Sequence, residues 1–518
     1  MNRAPLSLLA VAVALTAVTG VAFLRPGEGE AAPVADRAPV PVERTVLTCP
    51  RPTGAESGST VYTAFTPPTD GAAERDGEDA GEDGEDAGPS AALLPAPEYL
   101  PGDEEDGGEE DNGAAGGGEA EPVVPLTEPG APVSARVDDA DAPALSGTAE
   151  QELAPGWTVQ QTTVVGSGPG SGVLGTACQA PDTEFWFAGA STAESRSDYL
   201  HITNPDRAAT VVDIVLHGAE GPLDSEAGQG LTVPGGATLP VRLSTVSPEP
   251  QTNVAVQVTA RTGRIGAQIE AVDQQLGADW LAPAAAPAGG PAVLPGIPAG
   301  TRSVRLAVYA PGGEDVTLDV GLAGSGGTIT PAGYETITVP AGTLTAIDLE
   351  NVTRGEPGSL VLTPAEGSGG GRVVAAARLT IGDEDEQEMA FVQATGPVGT
   401  RASAAGNTAS GTALSLFAPG DAVEVEVTWS AGAEGGESVS ETHTIDGRTT
   451  LTLAPEPPEG TEGTFAVTLT PRGGTLYAAR TLAVEEDGTA GWTVQTLSDD
   501  RSTVAVPETA PDLSILMD

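Results

Sequence analysis

Apolar and polar residues alternate in short runs along much of this chain. "VVDIVLHG" (Val211–Gly218) and "VEVEVTW" (Val423–Trp429) exchange faces residue by residue, the period of a half-buried β-strand. Three longer stretches share one layout. They are "YLHITNPDRAATVVDIVLHGAEG" from Tyr199, "VRLAVYAPGGEDVTLDVGLAGSG" from Val304 and "ALSLFAPGDAVEVEVTWSAG" from Ala413. Each reads as a strand, a turn holding a proline and an acid, and a second strand. Pro205, Pro311 and Pro419 set a period of 106 to 108 residues, and Pro234, Pro340 and Asp446 keep a spacing of 106 further on. Each repeat then closes with hairpin-like words such as "VAVQVTARTGRIGAQIEAV".

Six or seven short strands per period, with turn signals every 10–15 residues or so, predict an all-β fold of tandem immunoglobulin-like β-sandwiches. The alternative is a β-propeller, whose blades repeat at about 40–50 residues. The repeats are placed at 191–285, 291–398 and 400–497, followed by a C-terminal tail at 498–518. Each ends in an acidic or polar loop and an aromatic, so Trp280, Phe391 and Trp492 read as repeat-closing core residues. "GWTVQ" occurs twice. Trp492 belongs to that closing series, whereas Trp157 reads as the start of a strand in an N-terminal domain.

That domain is divided. Residues 45–69 and 151–190 carry strand-like words, while 70–150 contains "GEDAGEDGEDAG" and "PGDEEDGGEEDNGAAGGGEAEP". Such composition buries too little apolar surface to offset chain entropy, so 70–150 is expected to be a disordered acidic linker. It lacks the ligand spacing of an EF-hand loop, and loose cation condensation suits it better than a calcium site.

The N-terminus carries an uncharged run from Ala4 to Leu24 between Arg3 and Arg25, long enough for a membrane-spanning helix. Residues 1–25 are therefore read as a signal anchor, with a cleaved signal peptide as the alternative, and 26–44 as a spacer. Everything beyond Arg25 is then extracytoplasmic. The predicted location is the cell membrane, single-pass through residues 4–24, or secretion if the segment is cleaved. Cys49 and Cys178 are the only cysteines, an even number that permits one pairing in an exported chain.

Charge narrows the partners. The chain holds 22 Lys+Arg, every one an arginine, against 74 Asp+Glu, for a net charge of −52. Nucleic acid and anionic lipid surfaces need a basic footprint, so neither is an expected partner. Without lysine, Schiff-base and Ser/Lys chemistry are excluded. The sequence contains no G-x-S-x-G elbow, H-E-x-x-H, P-loop or dinucleotide fingerprint. His201 and His217, with Asp206 and Asp213, make a conceivable metal pair, but their places in strands favour a structural role. Asp182, Glu184 and Trp186 in "DTEFWFAG" form a candidate ligand surface. Paired acids beside aromatics suit a glycan-processing cleft or a carbohydrate-binding face, although a core corner packed by Phe185, Trp186 and Phe187 beside Cys178 suits this word better. No metal and no cofactor is expected.

"TVLTCP", "GTACQAPDTEFWFAG", "LHITNPDRAATVVDIVLHGAEG", "LTVPGGATLPVRLS" and "VTARTGRIGAQ" together resemble an uncharacterised actinobacterial family of membrane-anchored or secreted proteins of unknown function. The resemblance implies export and an N-terminal anchor, brings no catalytic residues, and adds weight to a Cys49–Cys178 pairing. The chain is thus expected to be a non-catalytic envelope protein that binds or spaces an envelope protein or wall polymer.

Overall fold

A computed structural model describes residues 39–55, 58–68, 90–101, 121–138, 142–368, 370–382, 387–457, 459–486 and 488–506. The chain divides into two compact units, residues 1–41 with 503–518, and Val42–Ser502. In the first, Val40–Pro41 pairs antiparallel with Thr503–Val504. The expected anchor lies outside the described residues. Among the described residues no helix is long and apolar enough to cross a membrane.

The second unit is all-β, built from antiparallel sheets that pack face to face in sandwich-like pairs. Strand Thr210–Gly218 buries every second residue, as its alternation predicts. Repeat 1 has seven main strands. In order they are Glu184–Ala190, Arg196–Thr203, Thr210–Gly218, Thr238–Arg242, Val254–Ala260, Gly266–Asp273 and Gly277–Leu281. One sheet runs first–fifth–third and the other fourth–second–sixth–seventh. Repeat 2 (Ala292–Ile297 through Glu388–Gln393) and repeat 3 (Ala402–Asn407 through Thr489–Leu497) have the same order. An immunoglobulin constant domain has first–second–fifth–fourth against third–sixth–seventh. The immunoglobulin-like expectation therefore does not extend to strand order, because periodicity reveals how many strands there are but not which ones pair.

A fourth copy stands at the N-terminus. Its strands are Arg44–Cys49, Gly58–Phe65, Ala91–Ala96, Val133–Val137, Ala144–Glu150, Thr158–Val165 and Gly172–Ala177, in the identical order. Three of them fall inside 70–150, which was expected to be linker throughout. The short apolar words "AALLPA", "VSARV" and "ALSGTAE" supply them, and pairing to the strands on either side makes each one stable. The acidic words themselves lie outside the described residues. Strand Glu184–Ala190, assigned from sequence to the N-terminal domain, instead pairs with Val254–Ala260 and opens repeat 1.

The four copies close on themselves. Each seventh strand touches the next: Gly172–Ala177, Gly277–Leu281, Glu388–Gln393, Thr489–Leu497, and back to the first. Each first strand packs on the sheet of the following copy: Arg44–Cys49 on repeat 1, Glu184–Ala190 on repeat 2, Ala292–Ile297 on repeat 3, and Ala402–Asn407 on the N-terminal copy. Like a propeller, the sheets close about an axis, but the unit is a pair of sheets rather than one blade. Strands packed on both faces lose their alternation, and Glu184–Ala190 buries Phe185, Trp186, Phe187 and Ala188 in succession. Gly296 bulges out of its ladder at φ +82, where a Cβ would stand 2.4 Å from that of Ala479 in repeat 3. The disulfide Cys49–Cys178 joins the first strand of the N-terminal copy to the residue after its seventh, with Cα atoms 4.4 Å apart.

Candidate ligand cleft on the axis

The seventh strands end together, and a cleft of about 690 Å³ opens there. All four copies line it. Thr176, Trp280, Gln393 and Gln495 come from the seventh strands, Leu47, Glu184, Trp186 and Ser403 from the first strands, and Gln160 and Gln268 from sixth strands. Val42 and Arg44 border it at the start of this unit, and Ser498–Arg501 at its end.

Glutamine amides stand among hydroxyl and charged side chains in the polar lining. The Gln268 amide donates to Ala177 O at 2.9 Å and accepts the Thr176 hydroxyl. Gln393 Nε2 donates to Thr496 Oγ1 at 2.7 Å. Behind Gln160 and Gln495 lies Arg480, wholly buried. Its Nε donates to Gln495 Oε1 at 2.8 Å, Nη1 to Asn407 Oδ1 at 2.9 Å and to Ala405 O, and Nη2 to Gln160 Oε1 at 3.3 Å. Every acceptor is neutral. Burial lowers the Arg480 pKa to about 9. Because the guanidinium holds the Gln495 oxygen, Gln495 Nε2 is turned away, buried and without a partner.

Asp279 lies deeper. Its Oδ1 accepts the N–H groups of Gly175 at 3.2 Å and Trp280 at 2.8 Å, and the Thr493 hydroxyl stands 3.1 Å from both carboxylate oxygens. Burial raises its pKa well above the ordinary carboxylate value, against the pull of these donors. Glu388, on the neighbouring seventh strand, is also raised by burial.

Asp182, Glu184 and Trp186 do share one edge of the cleft. Asp182 accepts the N–H of Thr183 at 2.7 Å, and Glu184 accepts Gln257 Nε2 at 2.7 Å. Trp186 is buried at the seam between repeats 1 and 2, 5.6 Å from the Tyr309 ring and 6.3 Å from that of His217. The two acids are exposed, while the indole is packed away from solvent. Tyr309 Oη and His217 Nδ1 are 3.1 Å apart, and burial lowers the His217 pKa.

The imagined metal pair is not assembled. His201 lies in one sheet, 3.6 Å from Glu270, and His217 lies in the opposed sheet. Asp206 pairs with Arg264 and Asp213 with Arg261. Among the described residues no group of three metal-ligating side chains occurs.

The closing aromatics Trp280, Phe391 and Trp492 are all buried on seventh strands, but their ladder positions differ. At one fixed offset before Pro205, Pro311 and Pro419 stand Tyr199, Arg305 and Ala413. Following the ladders inward from these leads to Trp280, Phe391 and Val494. Trp492 sits two places earlier than sequence alignment put it. Trp157 precedes a sixth strand, so the two "GWTVQ" words are not equivalent. Sequence reasoning missed Arg480 and Asp279. Their only signal was a charge inside an otherwise apolar word, "YAART" and "GADWLAP".

The fold and cleft define an all-β protein of four like units closed about an axial cavity. The profile of the family of unknown function DUF5719 matches residues 133–456, and the chain belongs to that family. Among curated proteins none matches it.

Proposed function

We propose that this chain is a non-catalytic envelope protein, exported and held at the membrane by its N-terminal apolar segment, that binds a partner in the axial cleft. The observation that carries the reading is the Cys49–Cys178 disulfide, which locks the N-terminal copy of the circuit and belongs to an oxidising compartment. The charge of −52 and the absence of lysine support a soluble extracytoplasmic body rather than a nucleic-acid or lipid binder. In-cell crosslinking from cleft-edge positions, followed by mass spectrometry, tests this. Capture of one envelope protein or wall polymer is expected, and cytoplasmic partners alone would refute it.

A second reading is a carbohydrate-binding or wall-glycan-processing role for Asp182, Glu184 and Trp186, favoured by their place on one cleft edge. Hydrolysis of wall glycan that is lost in Asp182→Asn with Glu184→Gln would establish it.

A further inference from the structure

The four seams of the circuit are not alike. The core of repeat 1 runs into repeat 2 through Ala307, Tyr309, Val374 and Phe391, and the core of repeat 2 runs into repeat 3 through Ala479, Trp492 and Val494. The main core of the N-terminal copy stays within that copy. It meets repeat 1 through Val165 and Leu174 against Ala278 and Trp280, and the Tyr99 ring also packs on the repeat 1 core. With repeat 3 it shares a cluster of three residues, Phe65 with Ala405 and Ala466. This closing seam joins the first copy to the last, so no connecting peptide crosses it, whereas one crosses each of the other three.

Polar contacts carry much of the closing seam. Arg401 Nη2 donates to Pro155 O at 2.9 Å, the Ser134 and Thr464 hydroxyls stand 3.3 Å apart, Arg136 pairs with Glu486, and Val42 N donates to Ser502 O at 3.0 Å. The Thr493 hydroxyl adds its reach to Asp279. Each such contact contributes little, because water replaces it when the faces part. One buried charge gains by parting. Three of the four Arg480 hydrogen bonds stay within repeat 3, and only the one to Gln160, at 3.3 Å, crosses. Opening exchanges that bond for hydration of a guanidinium that has no carboxylate partner.

We infer that the closing seam is a latch. The N-terminal copy parts from repeat 3 in the folded protein and opens the circuit, while the seams between repeats 1, 2 and 3 stay packed. Gln160 and Thr176 line the cleft on one side of the latch, and Ser403 and Gln495 on the other, so opening splits the cleft and a partner bound across it holds the latch shut. That consequence rests on the reading of the cleft as a binding site. The latch itself does not.

The test measures maleimide labelling of single introduced cysteines in the full-length protein, whose own two cysteines are paired. Ala405→Cys reports the closing seam, Ala307→Cys the seam between repeats 1 and 2, and Val293→Cys, packed with Phe417, the seam between repeats 2 and 3. All three positions are buried. Labelling of a buried thiol follows the population of the open form, so without denaturant Ala405→Cys should react at least about tenfold faster than the other two. Ser134→Cys with Thr464→Cys replaces the hydroxyls that touch across the seam, and a disulfide formed there should slow Ala405→Cys by a similar factor. Circular dichroism and melting temperature check that each variant is folded. Ala466→Cys, buried in the same cluster, replaces Ala405→Cys if that variant is not. The latch is overturned by equal rates at the three seams, or by faster labelling at either of the others. A cross-seam disulfide that leaves the rate unchanged also overturns it, by placing the exposure within repeat 3. None of these results touches the reading of the cleft as a binding site, which fails separately if crosslinking captures no envelope partner.

Discussion

Asp279 and Thr493, 214 residues apart in sequence, meet near the axis, the hydroxyl 3.1 Å from each carboxylate oxygen. With the N–H of Gly175, this contact ties seventh strands of repeat 1, repeat 3 and the N-terminal copy together.

The tie should be acid-stabilised. Burial raises the folded pKa of Asp279 above its ordinary value of 3.8, so folding favours the protonated acid. That contribution is fully present below the ordinary value and is lost as pH rises through the folded value, at about 1.4 kcal/mol per pH unit of the window. Asp279→Asn, neutral throughout, should flatten the dependence. Urea unfolding between about pH 4 and pH 8 checks it, and a variant as pH-sensitive as the parent would count against the assignment.

His217 should act in the opposite direction. Burial lowers its folded pKa below 6.5, so its contribution is present above that value and is lost as pH falls through the folded one. The ring is only partly buried, so the effect should stay under about 1 kcal/mol. His217→Phe should remove it, read as the change in urea midpoint between about pH 7 and pH 5.

Removing the Arg480 head group should be costly. Arg480→Met orphans acceptors on Gln495, Asn407, Gln160 and Ala405, and a loss of about 3–5 kcal/mol is expected. Arg480→Lys should recover little, because a single ammonium cannot reach the points that the planar fork serves. Equilibrium unfolding of both variants measures the difference.

Two glycines separate backbone strain from packing. Gly296 and Gly300 have φ of +82 and +81, so alanine strains either by roughly 1–2 kcal/mol. Only at Gly296 does the new Cβ meet a neighbour, Ala479, whereas nothing lies within 4 Å at Gly300. Gly296→Ala should cost a further 1–3 kcal/mol or so from overpacking between repeats 2 and 3. Equal losses would place Gly296 outside the seam.

Reduction should loosen the N-terminal copy. The disulfide spans 129 residues, and removing it by Cys49→Ser with Cys178→Ser should cost about 2–5 kcal/mol. Melting with and without reductant tests the parent, and the double variant should not respond.

Much of the fold was legible in local pattern. Alternation in "VVDIVLHG" and "VEVEVTW" predicts strands that form, and the spacing of Pro205, Pro311 and Pro419 marks three copies that exist. The fourth copy was hidden because acidic insertions stretch it. Pro67, after its second strand, lies 138 residues before Pro205, so no constant period reaches it. The cleft was less legible. Asp182, Glu184 and Trp186 were found by their composition, whereas Gln160, Gln495 and Arg480 look like ordinary strand residues.

By itself, then, the sequence determined the all-β class, the strand count per repeat, the single possible cysteine pair and the acidic character, since these follow from local periodicity and composition. Only the tertiary structure decided which strands pair, that four copies close on one another, and which side chains meet at the axis. Residues such as Gln160 and Arg480, 320 apart in sequence, become neighbours only when the last copy packs against the first. Such meetings are set by sheet packing over long sequence separations, and no local pattern encodes them.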